Sequence, residues 1–232
     1  MALNISHIFF DLDRTLWDFD VNSQKTLLDI YNEYSLNVRG VKSFDLFLKH
    51  YLKINENLWD LYRQDLISKD DLRSKRFDLT LNKFSIKNNE LASEIGNTYV
   101  SKSPLQTSLF PYTKDVLSYL KEKYSLSIIT NGFDEVQKIK LKASGLDTFF
   151  ETVVTSDFVN VKKPNPIIFK YALDINNVSA ENSIMIGDDL LVDIIGAKDV
   201  GFSQVYFNPN NIPHNKICDY EIRSLSEIKN IL

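Results

Sequence analysis

A chain of 232 residues with a net charge of −4, 44% hydrophobic and 25% charged, has the make-up of a globular protein with one large domain or two modest ones. This balance argues against a general nucleic-acid-binding surface, though not against a small anionic substrate held locally. The single cysteine, Cys218, excludes an intrachain disulfide and suits a reducing cytoplasm; Met1-Ala2-Leu3-Asn4 lacks the basic stretch and apolar core of a secretory signal, and no apolar run approaches the ~20 residues of a membrane span.

The first predicted element is the run Ile8-Phe9-Phe10, which is short, aromatic and β-branched and reads as a buried strand. Asp11-Leu12-Asp13-Arg14-Thr15-Leu16 follows at once. Side chains at i and i+2 of an extended chain point the same way, so Asp11 and Asp13 are expected to leave the strand end together and share one pocket. Like charges that close repel. A hard divalent cation such as Mg²⁺, which takes oxygen ligands and leaves room for substrate phosphate, would hold them.

Residues 17 to about 104 carry helical periodicity with no convincing strand. Asn22-Ser23-Gln24 can start a helix bearing Leu27, Leu28, Ile30, Tyr31 and Tyr34. A second pattern runs from Phe44 through Tyr51 to Tyr62. Ser68-Lys69-Asp70-Asp71 resembles an amino-terminal cap with an acidic first turn. Asn88 to Val100 makes a fourth candidate. The block reads as a helical insert of about four helices. Its aromatics, including Trp59, fall at core spacings, and the lone His7 and His50 are assigned no chemistry.

From Phe110 the pattern alternates: helix from Pro111 to Tyr124, strand Leu126 to Thr130, helix Glu135 to Ser144 stopped by Gly145, strand Thr152 to Thr155. Then come helix Pro166 to Asp174, strand Ser183 to Ile186, helix Leu190 to Val200 ended by Gly201, and strand Gln204 to Phe207. Alternation of this kind implies a doubly wound parallel sheet, with the carboxyl ends of its strands on one rim where ligands bind. The predicted division is a Rossmann-like α/β core of residues 1–16 and 105–232 with an all-helical domain of residues 17–104.

Four motifs fall at strand ends. Asp11 is suited to attack phosphorus and Asp13 to protonate the leaving oxygen and later deprotonate water. Thr130-Asn131-Gly132 offers a hydroxyl and backbone N–H groups to a phosphoryl oxygen, or is an ordinary Asn-Gly turn. Val161-Lys162-Lys163-Pro164 offers a lysine to neutralise phosphate and nucleophile; Lys163 is preferred over Lys162. In Ile186-Gly187-Asp188-Asp189-Leu190-Leu191-Val192-Asp193, Asp188 can supply a further carboxylate to the cation. Asp189 can bind metal through water or cap the following helix, and Asp193 can hydrogen-bond the loop.

In this order the motifs resemble those of the haloacid dehalogenase-like hydrolase superfamily, and the resemblance covers essentially the whole chain, with the helical insert placed like that superfamily's cap in its first position. It implies that Asp11 is the phosphoryl acceptor, Asp13 the acid/base, and Thr130 and Lys163 phosphate binders. It also implies Mg²⁺ ligated by Asp11, the backbone carbonyl of Asp13, and Asp188. Arg14 departs from the pattern, standing where the family commonly has glycine. The second aspartate, absent from the founding dehalogenases, points to phosphoryl transfer. The stretch Phe10 to Phe19 looks most like bacterial cytoplasmic pyrimidine 5′-nucleotidases, with Trp17 and Phe19 either stacking on a base or packing a hinge.

The expected protein is therefore a cytoplasmic, Mg²⁺-dependent phosphatase, monomeric or homodimeric. Its substrate is a small phosphorylated metabolite, a nucleoside 5′-monophosphate first, and neither a nucleic acid polymer nor a membrane. The other readings are a phosphatase for a sugar phosphate or phosphoglycolate, a phosphomutase, or a regulatory module with a vestigial site.

Overall fold

A computed structural model describes residues 4–232; Met1, Ala2 and Leu3, part of the stretch read above for a secretory signal, lie outside the described residues. The chain divides into two compact units, one of Met1–Phe19 with Thr107–Leu232 and the other of Asp20–Gln106. Trp17 is fully buried in the apolar cluster of the first unit.

The first unit is built on a six-stranded sheet: β1 (His7–Phe10), β2 (Ser125–Thr130), β3 (Thr152–Thr155), β4 (Ser183–Gly187), β5 (Ser203–Phe207) and β6 (Tyr220–Ile222). The spatial order is β3-β2-β1-β4-β5-β6, with every neighbouring pair parallel. β1 is buried along its whole length, as expected for a central strand covered on both faces. Removing each of its large apolar side chains from water contributes about 1.5–3 kcal/mol. One face packs Ile8, Phe10, Ile128 and Ile186; the other packs Phe9, Ile129, Met185 and Phe169. After β1 the chain winds outward through β2 and β3, then returns to the other side of β1 as β4. The order thus reverses between β1 and β4, the place where open α/β sheets hold ligands at the strands' carboxyl ends.

Thr155 and Asn165 cap the helices Ser156–Val159 and Pro166–Asn176 of this unit. Gly145, at φ 66°, closes the helix Asp134–Ser144 in the left-handed conformation that glycine adopts without a Cβ penalty. β6 and the terminal 3₁₀ segment Leu225–Asn230 went unpredicted: β6 is three residues long, with Glu221 exposed at its centre. The helix predicted from Leu190 to Val200 is instead a π-helical turn, Leu190–Ile195, followed by the short helix Gly196–Lys198.

The second unit consists of α1 (Phe19–Glu33, entering from the first unit), α2 (Phe44–Arg63), α3 (Lys69–Asn82) and α4 (Asn89–Lys102). Ser43, Ser68 and Asn88 cap the last three, and Ser68 with Asp71 forms the reciprocal capping box. Asn22 and Ser23 do not start a helix. They are fully buried inside α1, where Ser23 Oγ pairs with the Tyr99 hydroxyl at 2.9 Å. The apolar stripes meet in a core of Leu27, Ile30, Phe47, Tyr51, Phe77 and Ile95. His50 packs edge-on to Phe84, and His7, in β1, bonds Ser127 Oγ at 2.8 Å; burial lowers its pKa. Among the described residues no helix is long and apolar enough to cross a membrane.

Candidate active site

The register of the sheet fixes which side chains meet. Phe10 pairs with Ile128 on one side and Ile186 on the other, so β1, β2 and β4 end together. Asp11 N–H donates to the Ile186 carbonyl at 2.9 Å, locking the first residue beyond β1 to the strand that carries Gly187 and Asp188. Three carboxylates, of Asp11, Asp188 and Asp193, each bring an oxygen within 4.8 Å of the other two.

Lys163 lies against this group and is 1% exposed. Its ammonium spends all three N–H donors, on Asp11 Oδ1 at 2.7 Å, Asp193 Oδ1 at 2.6 Å and the Ile129 carbonyl at 2.7 Å. Of the two lysines read in the motif, Lys163 is the one that these bonds bring against the acids. Burial works against the Lys163 charge, but Asp11 and Asp193 outweigh it and hold its pKa above the ordinary lysine value. Burial pushes Asp11 up to about 7, with Lys163 pulling the other way and Asp193 adding to the rise. Asp188 is raised well above the carboxylate range by burial first, then by repulsion from Asp11 and Asp193. Asp193 is raised by burial, with Lys163 opposing.

Buried hard-oxygen donors that repel one another fit a divalent cation. Asp193 has both oxygens engaged, Oδ1 by Lys163 and Oδ2 by the Asp189 N–H at 3.1 Å. Asp11 and Asp188 are therefore the pair best suited to hold one. Thr15 joins them, its hydroxyl donating to Asp188 Oδ1 at 3.1 Å and lying 3.5 Å from Asp11 Oδ2. Gly187 is required here, because a Cβ at that position would stand 2.4 Å from Asp193 Oδ2. Asp189 caps the π-helical turn by accepting from the N–H groups of Leu191 and Val192. Its side chain thus takes the capping role of the two foreseen.

Asp13 has partners of its own, and its charge still adds to the rise of the Asp11 pKa. Its carboxylate takes Lys140 Nζ at 2.6 Å on Oδ1 and Gln137 Nε2 at 2.8 Å on Oδ2, and it is not a member of the three-acid group. Leu12 packs in the same cluster as Ile8 and Phe10, so the alternation of faces carries past the end of β1, and Arg14 then adopts φ 65°, a left-handed conformation that costs roughly 1 kcal/mol outside glycine. The Arg14 guanidinium lies over the Phe19 ring at 4.6 Å.

Thr130 Oγ1 accepts from Gly132 N–H at 3.1 Å and from Gln137 Nε2 at 2.8 Å. Its own hydrogen is left to donate to an acceptor in the site. The Asn131 side-chain amide clamps the Lys163 main chain, with Oδ1 accepting from Lys163 N–H at 2.7 Å and Nδ2 donating to the Lys163 carbonyl at 3.0 Å, and so sets the lysine. The Lys163-Pro164 peptide is cis. Gly132 makes room, since a Cβ there would fall 2.0 Å from Gln137 Nε2. Trp17 is fully buried, with the Lys140 ammonium 4.4 Å from its ring centre and Phe19 at 6.3 Å. It packs the exit from the site and has no face open to a base.

Sequence reasoning missed Gln137 and Lys140. Both lie with Leu141 and Ser144 on the buried stripe of the helix Asp134–Ser144, and polar residues at core spacing were the available signal.

The model of the haloacid dehalogenase-like hydrolase family matches residues 8–207, and the chain belongs to that family. Within it, the chain is 29% identical to the pyrimidine 5′-nucleotidase PynA of Streptococcus pneumoniae, over 97% of this chain and 96% of that one. It is 32% identical to a glyceraldehyde 3-phosphate phosphatase of Pyrococcus furiosus, over 98% and 93%. The magnesium-bound crystal structure of the HAD-hydrolase YfnB from Bacillus subtilis superposes with a TM-score of 0.88 at 26% identity, covering 98% of both chains.

Proposed function

We propose that this protein is a Mg²⁺-dependent phosphomonoester hydrolase that acts on nucleoside 5′-monophosphates through an aspartyl-phosphate on Asp11. The observation that carries the reading is the convergence of Asp11, Asp188 and Lys163, from three separate stretches of chain, at the reversal point of the sheet. The full-length likeness to PynA supports the nucleotide.

In this reading an Asp11 oxygen attacks phosphorus, and the ester oxygen leaves with a proton from Asp13. Water, giving its proton to Asp13, then attacks the phosphorus, and the Asp11 carboxylate returns. The carboxylates of Asp11 and Asp188, with the backbone carbonyl of Asp13, would hold Mg²⁺, which when bound neutralises phosphate charge. Lys163 screens Asp11 so that an anion can approach an anion. Thr130 donates to a phosphoryl oxygen, and the backbone of Asn131 and Gly132 supports it. A Lys163 contact to phosphate requires the ammonium to exchange one of its three present partners.

The test is a panel of phosphate esters with Mg²⁺ and with chelator. Hydrolysis of pyrimidine nucleotides with release of inorganic phosphate, lost in chelator, is expected. Turnover of sugar phosphates with none of any nucleotide removes the nucleotide reading. It favours the second reading, a small-sugar-phosphate phosphatase, which the 32% identity to the Pyrococcus furiosus enzyme supports. Isomer formation in place of phosphate release would indicate a mutase.

A further inference from the structure

The pair that grips Asp13 lies outside every motif of the family resemblance. Lys140 and Gln137 project from successive turns of the helix Asp134–Ser144, and between them they occupy both oxygens of one carboxylate. Neither placement is explained by packing. Lys140 keeps an ammonium in a site where its side chain is 7% exposed, over the Trp17 ring. Gln137 turns its NH₂ to Asp13 and Thr130 and leaves its buried Oε1 with no partner, a desolvation cost that an apolar residue would avoid. Gln137 also ties Asp13 to Thr130, so the proposed acid/base and the proposed phosphate donor share one amide.

We propose that Lys140 and Gln137 are positioning residues that fix the Asp13 carboxylate for the second half of the reaction. This rests on the aspartyl-phosphate reading. In that half, water oxygen forms the new bond to phosphorus. The Asp11 O–P bond breaks with its electron pair returning to the carboxylate, and the water proton passes to Asp13, which delivers it to the next leaving oxygen. A carboxylate held at both oxygens has one orientation; released, it samples several, and few of them meet the water. The first half tolerates that disorder when the leaving group needs no proton, as with p-nitrophenolate. Loss of the grip is therefore expected to slow one half far more than the other.

The experiment is rapid mixing of wild type and Lys140→Met with p-nitrophenyl phosphate and Mg²⁺, with acid quench and mass analysis of the Asp11 peptide. K140M is expected to give a stoichiometric burst of p-nitrophenolate, phosphate retained on Asp11, and a steady rate at least about tenfold below wild type. Lys140→Arg is expected to restore most of that rate. Gln137→Met, which leaves the ion pair in place, is expected to give a smaller burst. Equal slowing of phosphate loading and release in K140M, or an unchanged steady rate, overturns the positioning role, as does a well-folded Q137M with no burst where K140M fails to fold. A wild-type enzyme that loads no phosphate on Asp11 from any ester it hydrolyses removes instead the reading on which the inference rests.

Discussion

Asp11 and Asp13 stand one residue apart, and each is gripped by its own lysine, but the two surroundings share little. On the Asp11 side, Lys163 is sealed from water and bonds two acids and a carbonyl, and the acids around it are pushed to high pKa by burial and by one another. On the Asp13 side, Lys140 meets a single carboxylate that is 25% exposed, beside an aromatic face. The first region stores charge and calls for a cation. The second orients one acid and leaves it in reach of solvent. A two-step phosphoryl transfer needs both: a desolvated nucleophile beside a screened phosphate, and a mobile proton in contact with water.

Asp11→Asn breaks the comparison at its strongest point. It removes the attacking oxygen, and turnover is expected to fall at least about a thousandfold. The folded state should remain, because an amide can accept the Lys163 hydrogen bond. Steady-state phosphate release checks this, and activity within tenfold of wild type would contradict the assignment of Asp11. Lys163→Met is next. It leaves buried Asp11 and Asp193 without their cation, and breaking a buried pair on one side costs about 3–5 kcal/mol. Denaturant unfolding measures it. The matching Lys140→Met, whose acid is partly solvated, is expected to cost less than half as much, and equal losses would erase the distinction between the two sides.

The two glycines sharpen it further. Gly187→Ala drives a methyl against Asp193, and Gly132→Ala drives one against the Gln137 amide. The first is expected to perturb the three-acid group and raise the Mg²⁺ concentration needed for half-maximal rate by about tenfold or more. The second is expected to lower the rate with Mg²⁺ dependence nearly unchanged. Metal titrations of the two variants decide this, and identical titration curves would show that the two regions are not separable.

Most of this fold was legible because its signals are local. Short apolar runs bounded by Gly, Asn and Asp marked five of the strands, and Ser68 announced its helix by cap chemistry. A parallel sheet with its carboxyl ends on one rim followed from alternation and crossover handedness, while the order of the strands did not. Asp11, Lys163 and Asp188 were legible as motifs at strand ends. Gln137, Lys140 and the clamp role of Asn131 were not, because each is defined by a partner 32 to 127 residues away and no spacing along the chain records that pairing. The tight fit of Gly132 against Gln137 escaped for a different reason: an Asn-Gly pair signals a turn and says nothing of which side chain will cross it.

The smallest effect concerns pH. Without metal, burial pushes Asp11 up to about 7 in the folded protein, far above the ordinary aspartate range near 4. Above about 4 the unfolded chain gives up that proton while the folded chain keeps it, so stability declines as pH rises and the decline ends once pH passes about 7. Asp188 and Asp193, also raised, act in the same direction. Asp71, held at about 2 by Lys75 and Ser68, titrates below this window and does not confuse it. A cation that favours the ionised acids reverses the slope, because the folded state then releases its protons on binding. The rise in melting temperature on adding Mg²⁺ is therefore expected to be larger near pH 8 than near pH 5, and Asp11→Asn is expected to remove much of the difference. Thermal scans at the two pH values, with Mg²⁺ and with chelator, supply the measurement. An equal Mg²⁺ shift at both would mean that the cation binds away from these acids, and the charge-storing side of the site would then lose its role.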